Sequence, residues 1–227
     1  MLKYWFLIAS FLLVILSFSS VGITQNSPIV FSLNDSKTSA GAAEMEKARF
    51  LFLYKTVFVK YKSQFQKAAK RNRIPWKVLA AISYQESNWQ EDAVSHTKVR
   101  GLMMLTEPTA AFLQVTDRQD PEQSISGGAK YFKIMMSKTP AFLSVKNKLA
   151  LSLVGYNLGY GQVINLRHLA HLYGVSAYEW EDMKSLLPLV SDKFIGSNLR
   201  YGSAKGKEAV QYVENIFKYI SWLNLKV

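Results

Sequence analysis

Along most of this chain apolar residues recur every three or four positions, and no stretch of useful length alternates apolar with polar. The pattern predicts helices and no sheet. From Glu44 to Asn72 it places Phe50, Leu53, Val57 and Tyr61 on one side of a single long helix and many lysines on the other. Such a basic amphipathic helix is suited to an anionic lipid surface. A packed helix with a solvated face gives the same pattern and is the plainer reading. Pro75 opens the next helix at a first-turn position. Further helices are expected over Thr106–Val115, from Asp120 with Pro121 behind it, over Asn147–Leu158 up to Gly159, over Gly161–Tyr173 up to Gly174, over Glu179–Leu187 up to Pro188, and from Ala204 to Leu223. The globular part is predicted all-α, without internal repeats.

One position breaks the pattern. In "LAAISYQESNW", Leu79 to Trp89, residues seven apart nearly coincide on a helix, so Leu79, Ile82 and Glu86 fall almost in one line with Ser83 beside them. That line is otherwise the apolar face. A carboxyl in apolar surroundings has its charged form disfavoured and holds its proton toward neutral pH. A general acid acting on a glycosidic oxygen requires this behaviour. A buried structural ion pair, with Arg100 for example, satisfies the helical pattern equally well.

The ends of the chain and its charge set the surroundings. Met1-Leu2-Lys3 is followed by an apolar run, Tyr4 to Phe18, and then by small residues up to Gly22. Residues 1–22 read as a secretory signal or as an uncleaved membrane anchor. Residues 23–43 are polar and small and read as a linker, which leaves 44–227 as the expected folded domain. The protein is therefore expected outside the cytoplasmic membrane, in the periplasm or cell envelope, with possible membrane contact through its N-terminal segment. A net charge of +12 favours anionic surroundings. Neither zinc-finger spacing nor an aromatic ribonucleoprotein signature accompanies it, so nucleic acid is not the expected partner. The chain has no cysteine, which excludes disulfides, thiol catalysis and thiolate metal sites.

Other chemistries find little support. There is no Gly-x-Ser-x-Gly elbow, and the histidines are His96, His168 and His171. His168 and His171 share a predicted helix three residues apart, but no carboxylate stands at ligand spacing, and a surface position suits them better. Gly127 and Gly128 fall inside a helical pattern, where each costs roughly 1 kcal/mol against alanine, so close helix packing is expected there. Around Tyr156 and Asn157 the glycines of "GYNLGYG" fit close packing or the approach of a bulky ligand. A standard glycosidase needs a second carboxylate about 5–9.5 Å from the first. Glu91 and Asp92 lie in a polar stretch, and nothing marks either as that partner. A one-carboxylate enzyme would need its nucleophile to come from the substrate, and the residues alone carry the reading no further.

"QESNWQEDAVS", "GLMMLTEPTA", "GYNLGYGQV" and "YVENIFKY" occur in an order and spacing that resembles the lytic transglycosylases of the soluble, goose-lysozyme-like superfamily. "GLMML" and "TDRQDPEQSISGGAKYFKIMMSK" look most like the catalytic domain of the membrane-bound F type. The resemblance covers about residues 74–223. It implies a lysozyme-like helical fold with a groove for peptidoglycan glycan strands and no cofactor or metal. It also implies cleavage of the β-1,4 bond between N-acetylmuramic acid and N-acetylglucosamine, in which the muramic C6 hydroxyl attacks its own anomeric carbon and leaves a 1,6-anhydro end. By the same resemblance Glu86 is the single acid/base and Ser95 the serine that hydrogen-bonds near it. Gly101, Met103 and Met104 belong to the loop under the sugars, Tyr156 and Asn157 to the usual Ala-Tyr-Asn element, and Tyr212 lines the site. Many relatives carry Gln where Met104 stands, which exchanges a substrate hydrogen bond for apolar contact. F-type enzymes also carry a large N-terminal domain for which this chain is expected to have no room. A hydrolysing muramidase on the same fold, a non-catalytic wall-binding protein and a basic membrane-surface protein are the competing readings.

Overall fold

The structure, a computed structural model, describes residues 32–225. The expected signal or anchor lies outside these residues. Backbone contacts divide the chain into two units, Met1–Met45 and Glu46–Val227, and the chemistry considered below lies in the second. Ten α-helices are described: α1 (Ser32–Thr56), α2 (Lys62–Asn72), α3 (Trp76–Ser87), α4 (Glu107–Phe112), α5 (Pro121–Ser137), α6 (Val145–Leu158), α7 (Tyr160–Tyr173), α8 (Trp180–Val190), α9 (Lys193–Ser197) and α10 (Gly206–Asn224). Among the described residues the only β pairing is two isolated bridges, Val94 with Arg100 and Arg100 with Leu105. The all-α expectation holds.

Three expectations need correction. The linker is helical from Ser32 onward, in keeping with the Ala, Glu, Lys and Met content of residues 39–48. The long helix over Glu44–Asn72 is interrupted by a 3-10 turn, Phe58–Lys60, where β-branched Thr56, Val57 and Val59 cluster. The resulting change of phase turns Phe58, Tyr61 and Phe65 inward along with Phe50 and Tyr54. Pro188 lies inside the last turn of α8 instead of ending it.

α3 is held from two sides, by α10 and α2, while α6 packs on α5, α7 and α10. Its apolar face is fully buried at Leu79 and Ile82. At one end an aromatic cluster locks it. The Phe50 ring lies 4.7 Å from Tyr84, 5.3 Å from Trp89, 5.4 Å from Tyr219 and 5.2 Å from Trp222, centroid to centroid. The buried Trp89 indole donates to the Ala80 carbonyl at 2.9 Å, so its one polar atom is satisfied. α3 stops directly after Ser87 because Asn88 and Trp89 both take left-handed conformations, at φ 51° and 62°. Glu86 is thereby set in the final turn, against the loop that follows. The expected start of α5 is present as well, with the Asp120 carboxylate accepting from the Gln123 amide at 2.8 Å. The histidines are exposed, His168 and His171 both on α7.

Candidate active site

The residues after α3 turn back under it and form a short pinned loop. Arg100 and Leu105 exchange backbone hydrogen bonds of 3.1 and 3.4 Å, which closes a four-residue turn over Gly101–Met104. Gly101 sits at φ 82°, and a Cβ there would overlap the Arg118 carbonyl, so both backbone and space require glycine. The Leu102 carbonyl accepts from Ser83 Oγ at 2.9 Å and from Ser87 Oγ at 3.0 Å. The Met103 amide donates to Ser124 Oγ at 3.2 Å, and the Met103 carbonyl accepts from Tyr156 Oη at 2.9 Å. Three helices, α3, α5 and α6, thus fix one loop through buried polar groups, an arrangement that favours a single conformation.

The two methionines of this loop part company. Met103 is fully buried, and its side chain fills the space beside Gly128, where an added Cβ would come within 2.6 Å of it. Its expected contact with a sugar is therefore corrected: the side chain is core, and only its carbonyl serves the site. Met104, at φ 45°, turns the other way and lines a cleft. Gly127 is packed as closely, against Val115 and Leu105. The glycine pair is there for packing.

Glu86 stands between two cavities. The first, about 480 Å³, is lined by Glu86, Met104, Tyr131, Tyr156, Asn157 and neighbouring residues of the loop and of α4. The second, about 490 Å³, has Glu86, Asn157 and Leu158 in common with the first and adds Gln85, Lys205, Glu208, Gln211 and Tyr212. The two adjoin at Glu86, Asn157 and Leu158, and Glu208 adds a second carboxyl to the wall of the second. Burial pushes the Glu86 carboxyl up to about 7 from its ordinary 4.5, against the opposing effect of the Tyr212 hydroxyl, which donates to Oε1 at 2.7 Å. The C-terminal end of α3, carrying partial negative charge, disfavours an anion in the same sense as burial. Tyr156 and Tyr212 are both buried, and burial followed by the nearby Glu86 charge holds their phenols well above the usual range, so they remain hydrogen-bond donors.

The ion-pair alternative for Glu86 is not realised. Arg100 donates to Gln119 Oε1 at 3.2 Å, and no ion pair among the described residues includes Glu86. Ser95 lies in neither cavity wall. Its hydroxyl accepts from the amides of Thr97 and Val99, each at 3.2 Å, and bonds Thr97 Oγ1 at 3.0 Å, so it organises its own turn. Its expected hydrogen bond near Glu86 is absent here, because those turn contacts occupy the oxygen. Glu91 accepts from Tyr61 and takes no part in the groove. Sequence reading missed Gln85, Tyr131, Lys205, Glu208 and Gln211. Lys205 and Glu208 had a usable signal, since they stand seven and four residues before Tyr212 on or next to α10. Ser83 and Ser87, two hydroxyls on a buried helix face one turn apart, also had one.

The described residues form a helical domain in which a proton-holding carboxyl closes the end of a core helix where two cavities adjoin. Residues 63–171 match the sequence profile of the transglycosylase SLT domain family. The chain is 43% identical over 178 residues to membrane-bound lytic murein transglycosylase F of Aeromonas hydrophila, covering 77% of this chain and 36% of that protein. To the protein of the same name from Cronobacter sakazakii it is 47% identical over 170 residues, covering 75% and 32%. The chain thus spans about a third of the length of these relatives. The fold is shared with the 70 kDa soluble lytic transglycosylase of Escherichia coli, with a TM-score of 0.54 at 20% identity over 75% of this chain and 25% of that one. It is shared also with an inactive mutant of lytic transglycosylase Slt from Pseudomonas aeruginosa, at 0.51 and 21% over 72% and 24%.

Proposed function

We propose that this protein is a peptidoglycan lytic transglycosylase of the cell envelope, held near the membrane by its N-terminal segment. It cleaves the β-1,4 bond between N-acetylmuramic acid and N-acetylglucosamine. The observation that carries this reading is the single carboxyl with a value near 7, placed where two halves of a groove meet. A glycan strand lying through both cavities would set a glycosidic oxygen against Glu86. The protonated carboxyl gives its proton to that oxygen as the bond to the anomeric carbon breaks. The resulting carboxylate then takes the proton of the muramic C6 hydroxyl as that oxygen bonds to the same carbon. The ring closes as a 1,6-anhydro sugar, water takes no part, and Glu86 recovers its proton.

Around this step Met104 and the rings of Tyr131 and Tyr156 supply apolar walls that limit water, and Asn157, common to both cavities, offers an amide to an N-acetyl group. Hydrolysis is the second reading, because Glu208 is another carboxylate in the groove wall. It is exposed and lies on α10, with no partner orienting it in the described hydrogen bonds. Mass spectrometry of muropeptides released from purified sacculi separates the two. Anhydro ends are expected from the wild type and a loss of at least about 10²–10⁴-fold in cleavage from Glu86→Gln. Reducing ends carrying oxygen from labelled water would establish a muramidase, and near-normal turnover by the variant would remove Glu86 from the chemistry.

A further inference from the structure

The end of α1 and the 3-10 turn after it bury one side and leave large apolar groups bare on the other. Phe50, Tyr54 and Phe58 face the core, while Phe52 is 64% and Val59 57% exposed. Phe52 and Thr56 share a face of α1, Val59 is exposed in the 3-10 turn that follows, and Arg49, Lys55 and Lys60 on the same segment are exposed too. The charge here is of one sign: from Lys47 to Lys77 the sequence carries ten basic residues and no acidic one. Of the nearby acids, Glu46 is engaged with Lys218 and Tyr219 and Glu91 with Tyr61, while Glu44 on α1 and Asp92 beside Glu91 are exposed. Arg49, Lys55 and Lys60 have no ion-pair partner among the described residues.

We propose that this face docks on an anionic lipid surface, with Phe52 and Val59 entering the headgroup–acyl boundary and Arg49, Lys55 and Lys60 meeting lipid phosphates. Apolar side chains together with cations match an interface that has an apolar layer beneath a negative one. A second copy of the chain would oppose like charges across the contact. A glycan strand would match the charge, but it has no apolar layer to receive Val59. This docking surface extends the envelope placement proposed above and is independent of the glycosidic chemistry, so a catalytically dead chain would still dock.

The chain has no cysteine, so single labels are clean. Phe52→Cys, Val59→Cys and, as reference, Ser185→Cys at an exposed site on α8 are each made in the full chain and labelled with bimane. On vesicles of phosphatidylethanolamine and phosphatidylglycerol, emission at positions 52 and 59 is expected to shift to the blue, and at 185 to stay unchanged. The shift is expected to vanish on phosphatidylcholine vesicles. Adding Lys55→Gln and Lys60→Gln should weaken the response roughly 25-fold, at about fivefold for each charge near an anionic surface. Vesicle binding without a shift at 52 and 59 would overturn the proposal by assigning the membrane to another segment. A shift on isolated sacculi in place of vesicles would make this a wall-facing surface, and a concentration-dependent shift without vesicles would make it a contact between copies. No shift under any condition would leave it a solvated face.

Discussion

Glu86 is expected to weaken the fold that holds it, and the weakening should depend on pH. In the unfolded chain the carboxyl has its ordinary value of 4.5, and in the folded protein burial raises it to about 7. Below 4.5 both states hold the proton and the group costs nothing. Between the two values the unfolded chain has released its proton and the folded one has not, so stability falls as pH rises. Above about 7 both are ionised and the cost is complete. Each pH unit separating the two values is worth about 1.4 kcal/mol, which gives about 3 kcal/mol at about pH 8. Against a total stability of about 5–15 kcal/mol, that is a large fraction. Glu86→Gln keeps the shape and retains an oxygen that can accept from Tyr212, but it cannot ionise. Denaturant unfolding of both proteins should therefore agree within about 1 kcal/mol at about pH 4 and differ by about 3 kcal/mol, in favour of the variant, at about pH 8. All other titrating groups are common to both proteins and cancel in the difference. A difference that stays the same at both pH values would mean that Glu86 ionises normally in the fold, and the acid/base reading would lose its physical basis.

The rate should follow the same proton: kcat/KM on purified glycan strands is expected to fall as pH rises through about 7, and Tyr212→Phe, which removes the donor that holds Glu86 down, should move that limb to higher pH. An unmoved limb would show that Tyr212 does not act on the Glu86 proton. Ser83→Ala with Ser87→Ala leaves the buried Leu102 carbonyl without either hydroxyl and should cost about 1–3 kcal/mol in denaturant unfolding, whereas Ser87→Ala alone, with Ser83 still donating, should cost less. Gly128→Ala forces a methyl to within 2.6 Å of the Met103 side chain and should cost about 1–3 kcal/mol by calorimetry; no loss would mean that Met103 can move aside.

What could be read along the chain was whatever depends on spacing within one helix. Leu79, Ile82 and Glu86 fall on a line because α3 is regular, so the misplaced carboxyl was visible without a structure, and the caps at Asp120 and Gly174 were visible for the same reason. The 3-10 turn at Phe58–Lys60 was not, because β-branched Thr56, Val57 and Val59 disfavour a continuous helix only slightly and packing selects the altered phase. The pairing of Tyr212 with Glu86 spans 126 residues and that of Tyr156 with Met103 spans 53. Contacts this distant in sequence are set by how α10 and α6 lie against α3, which no local periodicity records. Resemblance named these residues, but it could not say that Tyr212 holds the carboxyl while Tyr156 holds the loop.

The methionine pair shows most sharply where one-dimensional reading ends. Met103 and Met104 are adjacent and chemically identical, and both were expected at the sugars. Their separation depends on a left-handed backbone at Met104, φ 45°, a conformation that methionine does not signal and that costs a non-glycine residue about 1–3 kcal/mol. The cost is met by the hydrogen bonds that Ser83, Ser87, Ser124 and Tyr156 make to the neighbouring backbone of residues 102 and 103. The same bonds fix the loop beside Glu86, so one device does two things: it turns Met103 into core to seal α5 against the loop, and it presents Met104 as an apolar wall to the groove. A substitution that releases the loop, such as the double serine variant, should therefore lower stability and loosen the site together. A change at Met104 itself should alter the groove while leaving the core intact.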